Sequence, residues 1–261
     1  MTELLQVAPW GLAASATLAA VAWAGSVVRH DASLVDRWWS ALIAASALAY
    51  AVVLPASGSR ALAMGALLLV WALRLATYIS WRNWGHGEDR RYQAIRARNQ
   101  PNFAFKSLYL VFGLQAVIAW IVAMPFLAGF AVDAPLGVAG GIGAALAAFG
   151  IVFEAVADAQ MARFKADPAT RGQVMDRGLW RLSRHPNYFG EACTWWGLWL
   201  MAVPAGGAWS IVSPLVMTTL LLKVSGVTLL EQDIGERRPA YRDYILRTSA
   251  FVPWWPKTPG G

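Results

Sequence analysis

Long uncharged apolar runs constrain this chain more than any other feature. A window of about 18 or more such residues is long enough to cross a bilayer as a helix. Four windows meet that length outright, at residues 7–28, 38–59, 107–132 and 134–153. A fifth, 61–81, is interrupted only by Arg74. The uncharged run 192–222 is too long for one crossing, and Pro204, Gly206 and Gly207 divide it. It predicts one helix from Pro186 to about Val203 and another from about Ala208 to Leu230, the latter carrying Lys223. The expected fold is therefore all-α: a polytopic membrane protein of about seven transmembrane helices in a single domain over residues 1–261.

Composition agrees. Hydrophobic residues make up 57% of the chain and charged residues 14%, against about a quarter charged in soluble domains. Fifteen tryptophans suit a chain that meets two lipid–water boundaries. The same figures exclude a disordered chain, a disulfide-stapled secreted domain and a coiled coil. Cys193 is the one cysteine, and His30, His86 and His185 show no metal-ligand spacing. No metal is expected.

A net charge of +7 and a pI near 9.9 could suggest nucleic acid, but the distribution of the charges argues otherwise. With the N-terminus outside, nineteen of the 22 Lys and Arg residues fall in the cytoplasmic connections and tail. Arg60 alone falls outside, and Arg74 and Lys223 lie within spans. Such asymmetry sets the N-terminus out and the C-terminus in. The first apolar run has no Lys or Arg before it, carries Glu3 and is too long for a signal h-region, so it reads as a retained helix. Within residues 137–150, Gly137 with Gly141 and Gly140 with Ala144 stand at small-xxx-small spacing, which predicts close helix packing.

Orientation does not explain residues 154–191, which read EAVADAQMARFKADPATRGQVMDRGLWRLSRHPNYFGE. A topogenic loop needs only positive charge. Pro186 suits the first turn of a helix, and Asn187 and Glu191, four apart, share a face of it. A helix N-terminus carries partial positive charge and free N–H groups. Arg181, Arg184 and His185 arrive just before it, a set that suits a multiply charged phosphate ligand. Trp180 stands among polar residues and could stack on a planar ring. Arg74 and Lys223 are costly inside a span, about 2.5–3.5 kcal/mol each, although snorkelling to the nearby interface explains either. Glu231 and Asp36 read equally well as boundary carboxylates paired with arginine.

The block GLWRLSRHPNYFGE at 178–191, with RPAYRDY at 238–244 and AFVPWWPK at 250–257, resembles the steroid 5-alpha-reductase C-terminal domain. The likeness is closest to a bacterial branch catalogued mainly as a domain of unknown function. Delta-14 sterol reductases and isoprenylcysteine carboxyl methyltransferases are similar at greater distance. The resemblance covers roughly residues 60–257. It implies a seven-span NADPH-dependent reductase with its cofactor in a cavity open to the cytoplasm. By motif position it implies that Asn187 and Glu191 hold the nicotinamide half and that Trp180 and Tyr188 pack against the cofactor. It adds Asp158 and Lys165 on the preceding helix, Arg171 toward phosphate, Arg74 on the third span, and Tyr241 and Tyr244 in the tail. Arg184, His185 and Arg242 complete the expected cofactor set.

The chain also departs from that family. The tyrosine that holds a steroid ketone there is Trp71 here, and no glutamate occurs between Glu3 and Glu88. Asp36 could replace the missing glutamate, and Glu231 lies near the sterol-reductase catalytic aspartate. These two are the expected proton donors. The expected reaction is hydride transfer from NADPH to a polarised carbon–carbon double bond of a lipid-like substrate entering from the membrane. NADPH rather than NADH is expected because Arg171, Arg177, Arg242 and Lys165 are available for the 2′-phosphate. The alternative is an S-adenosylmethionine-dependent membrane methyltransferase, since RHPxYFG also opens a helix in that branch. Asn187 and the RPAYRDY tail favour the reductase. A structural or transport protein without cofactor should not need Asn187, Glu191 and Trp180 at one helix end. Membrane lipids are the expected surroundings, with no nucleic acid and no obligate protein partner, in the bacterial inner membrane with the site facing the cytoplasm.

Overall fold

The computed structural model describes residues 2–54, 57–224 and 240–257. Helices form nearly all of it, with no strand among the described residues beyond an isolated bridge between Ser183 and Ser249. In chain order we label α1 Thr2–Arg29, α2 Leu34–Val53, α3 Ser59–Arg82, α4 Arg90–Arg98, α5 Phe103–Phe130, α6 Gly137–Ala166, α7 Pro186–Ala202, α8 Gly207–Lys223 and α9 Ala240–Arg247. Four of them, α1 from Glu3, α3, α5 and α6, are long and apolar enough to cross a membrane. Residue contacts group the chain into two compact units, 1–141 with 199–213, and 142–198 with 214–261.

Two boundaries differ from the sequence expectation for physical reasons. The second window extends to residue 59, but α2 ends at Val53 because Leu54 precedes a proline and is extended, with φ −100° and ψ 159°. The window 134–153 stops at Phe153, yet α6 continues to Ala166. Charged residues ended the apolar window without ending the helix. The first third of the polar 154–191 stretch is thus helix rather than loop.

In the first unit, serine and tryptophan side chains bond across the helices, a common device where water is excluded. Ser46 Oγ donates to Gly11 O (2.9 Å), Ser40 Oγ to Ala72 O (2.9 Å), Ser15 Oγ to Ala116 O (3.2 Å) and Trp120 Nε1 to Ala8 O (2.9 Å). Within α5, Pro125 brings a break. Phe126 N bonds to Ala123 O (3.0 Å), and the neighbouring carbonyl of Val122 accepts Ser213 Oγ at 2.6 Å.

The connections pair by end. Ala32 N bonds to Glu88 Oε1 (2.8 Å) and Arg37 Nη2 to Asn83 O (2.9 Å), so the segments after α1 and α3 lie together. Leu136 N bonds to Ser59 Oγ (3.0 Å) and Ser57 Oγ to Asp133 Oδ2 (3.3 Å), so those after α2 and α5 lie together. Antiparallel neighbours require such pairing. Arg60, expected in an exposed outer connection, is 1% exposed on the first turn of α3.

In the second unit α6 packs on α7 through small residues, but not those singled out by spacing. A Cβ on Gly137 or Gly141 would meet open space, and one on Gly140 would meet Leu136 of its own segment. Gly150 and Gly197 are the tight positions instead. A Cβ on Gly197 would lie 2.5 Å from Ala147 N and 2.6 Å from Gly143 O, and one on Gly150 would lie 2.4 Å from Gly190 O. Backbone cannot yield as a flexible side chain can. Gly197→Ala should therefore destabilise by about 1–3 kcal/mol, read as a lowered melting temperature in detergent. Gly141→Ala, made for comparison, should melt no lower than the parent, since a Cβ there meets open space.

Candidate functional site

The site is built where the C-terminal end of α6, the RHPNYFGE block and the C-terminal tail meet in the second unit. Glu154 and Asp158 stand four apart on α6, hence on one face, and are 3% and 5% exposed. Just beyond them, Trp180 Nε1 donates to Ala157 O at 2.9 Å and Leu179 N donates to Gln160 Oε1 at 2.9 Å. These two bonds seat the helical turn Leu179–Leu182 on α6. Gly178 makes that approach possible. Its φ is +58°, a region that favours glycine, and a Cβ there would sit 2.6 Å from the Gln160 amide.

The tail then laces the block from the other side. Ser183 Oγ donates to Phe251 O (2.8 Å) and accepts from His185 N (3.1 Å). Arg184 N donates to Ser249 O (2.9 Å), and Trp254 N to Leu182 O (2.9 Å). The Tyr244 hydroxyl donates to the carbonyl of Trp180. The Phe189 ring meets Phe153 at 5.6 Å and Phe251 at 6.0 Å, both edge-on. Pro186 opens α7 as the spacing predicts, and the His185 ring stacks on Tyr188 at 5.5 Å with 6° between planes.

The structure thus gathers Asp158, Trp180, Arg184, His185, Tyr188, Glu191 and Tyr244 around one end of the second unit. Asp158, Arg184, His185 and Glu191 are all buried. Asn187 and Tyr188 are half-buried at the helix start, and Tyr241 meets Tyr244 edge-on at 5.2 Å. Lys165, Arg171 and Arg242 are exposed. Arg74 and Asp36 belong to the first unit, and Glu231 lies outside the described residues.

Two side chains have more specific surroundings than the sequence suggests. Arg184 Nη1 donates to the carbonyls of Ile245 (3.0 Å) and Thr248 (2.5 Å). It holds the tail against the block. Asp36 accepts from Arg91 Nη2 at 2.9 Å and from the Tyr92 hydroxyl at 2.6 Å. Burial pushes its carboxyl above the ordinary range, with the Arg91 charge and the Tyr92 hydrogen bond acting against that shift. Nearby, burial also acts to raise Glu88. Two hydrogen bonds from Arg96, at 2.9 and 2.8 Å, and one from Ala32 N–H outweigh it and bring Glu88 below its usual 4.5.

Sequence reasoning passed over Glu154, Gln160 and Ser183. The four-residue spacing of Glu154 and Asp158 was a legible signal for the first. The other two act through backbone partners far along the chain, which no local pattern reveals.

The chain's likeness to known proteins is limited in what it names. A family model described as protein of unknown function (DUF1295) matches residues 22–248. An uncharacterized protein of Schizosaccharomyces pombe is 28% identical over 277 residues, spanning 93% of this chain and 78% of that protein. No solved structure matches.

Proposed function

Because the chain belongs to the DUF1295 family, we propose that it is a membrane reductase that uses NADPH to reduce a carbon–carbon double bond in a lipid-like substrate. One observation carries the proposal. A helical unit of an apolar protein buries Asp158, His185 and Glu191 around Trp180 and the start of α7. Such groups are costly to bury without purpose, and they fall in the block that resembles the steroid 5-alpha-reductase domain. In full, the proposal has seven spans, the N-terminus outside, and the site facing the cytoplasm of a bacterial inner membrane.

The donor set fits the cofactor's chemistry. Asn187 and Glu191 offer amide and carboxylate partners for a carboxamide, and Tyr188, already stacked on His185, offers a planar surface. The exposed cations Lys165, Arg171 and Arg242 suit phosphate. When bound, NADPH supplies the hydride. The chain's part is to orient, to keep water out and to hold a proton. Trp180, fixed at its N–H by Ala157, closes the α6 side, and Tyr244 supports it from the tail. For the proton, Asp36 and Glu231 are the two candidates: burial favours the protonated form of Asp36 against the pull of Arg91 and Tyr92, and Glu231 is named from the resemblance alone.

Mass spectrometry of gently purified protein tests the cofactor directly. NADP(H) is the expected co-purified molecule. S-Adenosylhomocysteine in its place would transfer the assignment to the methyltransferase reading.

A further inference from the structure

A second feature of the same unit lies on its surface. A cavity of about 520 Å³ is lined by Asp176, Arg177, Arg181, Arg247, Thr248 and Lys257, among others. Four cations thus face one carboxylate, and that carboxylate already pairs with Arg247 at 2.6 Å. The walls are fixed by bonds described above and by Lys257 N donating to Arg247 O at 2.9 Å. The backbone that carries the cations is therefore held in place rather than forming a loose tail.

The segment that supplies Arg247 and Lys257 also exposes large apolar side chains. Leu246, Val252, Trp254 and Trp255, close to those two cations in sequence, are 75%, 55%, 72% and 75% exposed. Exposed tryptophans next to cations are the composition of a membrane interface, where rings sit at headgroup level and basic side chains meet lipid phosphate. A cavity of this size also exceeds what one phosphate needs, leaving room for a glycerol-sized substituent. We propose that this pocket binds a phosphate-bearing anion, and that the source favoured by the exposed tryptophans in the same tail segment is the headgroup of an anionic phospholipid. The pocket shares Arg177 and Arg181 with the cations that the sequence offers to cofactor phosphate, but the lipid inference does not rest on the reductase proposal.

Binding of short-chain phosphatidylglycerol to the full-length protein in neutral detergent tests it, with phosphatidylcholine and inorganic phosphate as parallel arms. The parent should bind phosphatidylglycerol in a salt-sensitive manner and phosphatidylcholine far more weakly. The double variant Arg181→Gln/Lys257→Gln should lose about thirtyfold in affinity for phosphatidylglycerol. Asp176→Asn removes the opposing carboxylate and should tighten binding severalfold, a gain that misfolding cannot produce. Competition by millimolar inorganic phosphate would place the source in solution, while resistance to it would place the source in the lipid; either supports the phosphate site. Equal affinity of parent and both variants for phosphatidylglycerol would overturn it, as would equal binding of phosphatidylcholine.

Discussion

Glu191→Gln should weaken NADPH binding by about a hundredfold, the scale of a lost hydrogen bond to a charged group, and Asn187→Ala by about tenfold, the scale of a neutral one; both should leave the protein inserted and folded. Glu191 is 7% exposed, and glutamine keeps its volume, so the change removes charge with little repacking. Asn187 is half-buried at the first turn of α7, behind Pro186, so its removal opens no core cavity. A purely structural role predicts the opposite pattern. A residue that merely starts a helix contributes about 0.5–2 kcal/mol of stability, and its loss would lower melting while affinity stayed constant. Affinity and melting temperature measured on the same detergent preparations separate the two. Unchanged affinity with lowered melting would remove both residues from the site.

How far the sequence reached depends on the range of the interaction. Helices over the apolar runs were legible because burial in lipid demands long uncharged segments, and α7 begins at Pro186 because proline suits a first turn. Helix ends were less legible. α6 runs thirteen residues past Phe153 to Ala166, since a helix that leaves the apolar layer need not stop. The glycine pairs failed for a related reason. Spacing shows which residues share a face of α6, but not which face meets α7, and Gly143, Ala147 and Gly150 do so rather than Gly137 and Gly141. The block at 178–191 was recognisable as a site candidate from residue types that topology does not require. Its support was not, because Ser183 and Tyr244 reach carbonyls more than sixty residues away in sequence. Asp36 shows the same limit, its partners Arg91 and Tyr92 lying on α4.

Arg184→Met should destabilise the second unit markedly and release its tail. The sequence grouped this arginine with the phosphate-binding cations, whereas its guanidinium bonds to the carbonyls of Ile245 and Thr248 at the end of α9. Methionine keeps much of the side chain's length and apolar stem but supplies no donor. Both carbonyls would lose this donor in a buried setting, at about 1–3 kcal/mol each. Bonds from Ser183 Oγ to Phe251 O and from Trp254 N to Leu182 O would remain. The expected result is therefore a loosened tail on an otherwise intact protein, with lower melting and faster proteolytic cleavage between residues 245 and 257. Cofactor affinity should fall as well, because Tyr244 is positioned by the same segment and supports Trp180. A direct phosphate contact predicts a different combination: reduced affinity, normal melting and an unchanged cleavage rate. Arg184→Lys sharpens the distinction. A lysine retains the charge that a phosphate needs, but its shorter chain stops short of the position from which Arg184 Nη1 reaches both carbonyls. Recovery of affinity without recovery of tail protection would make Arg184 a ligand residue, and failure to recover either assigns it to holding the tail.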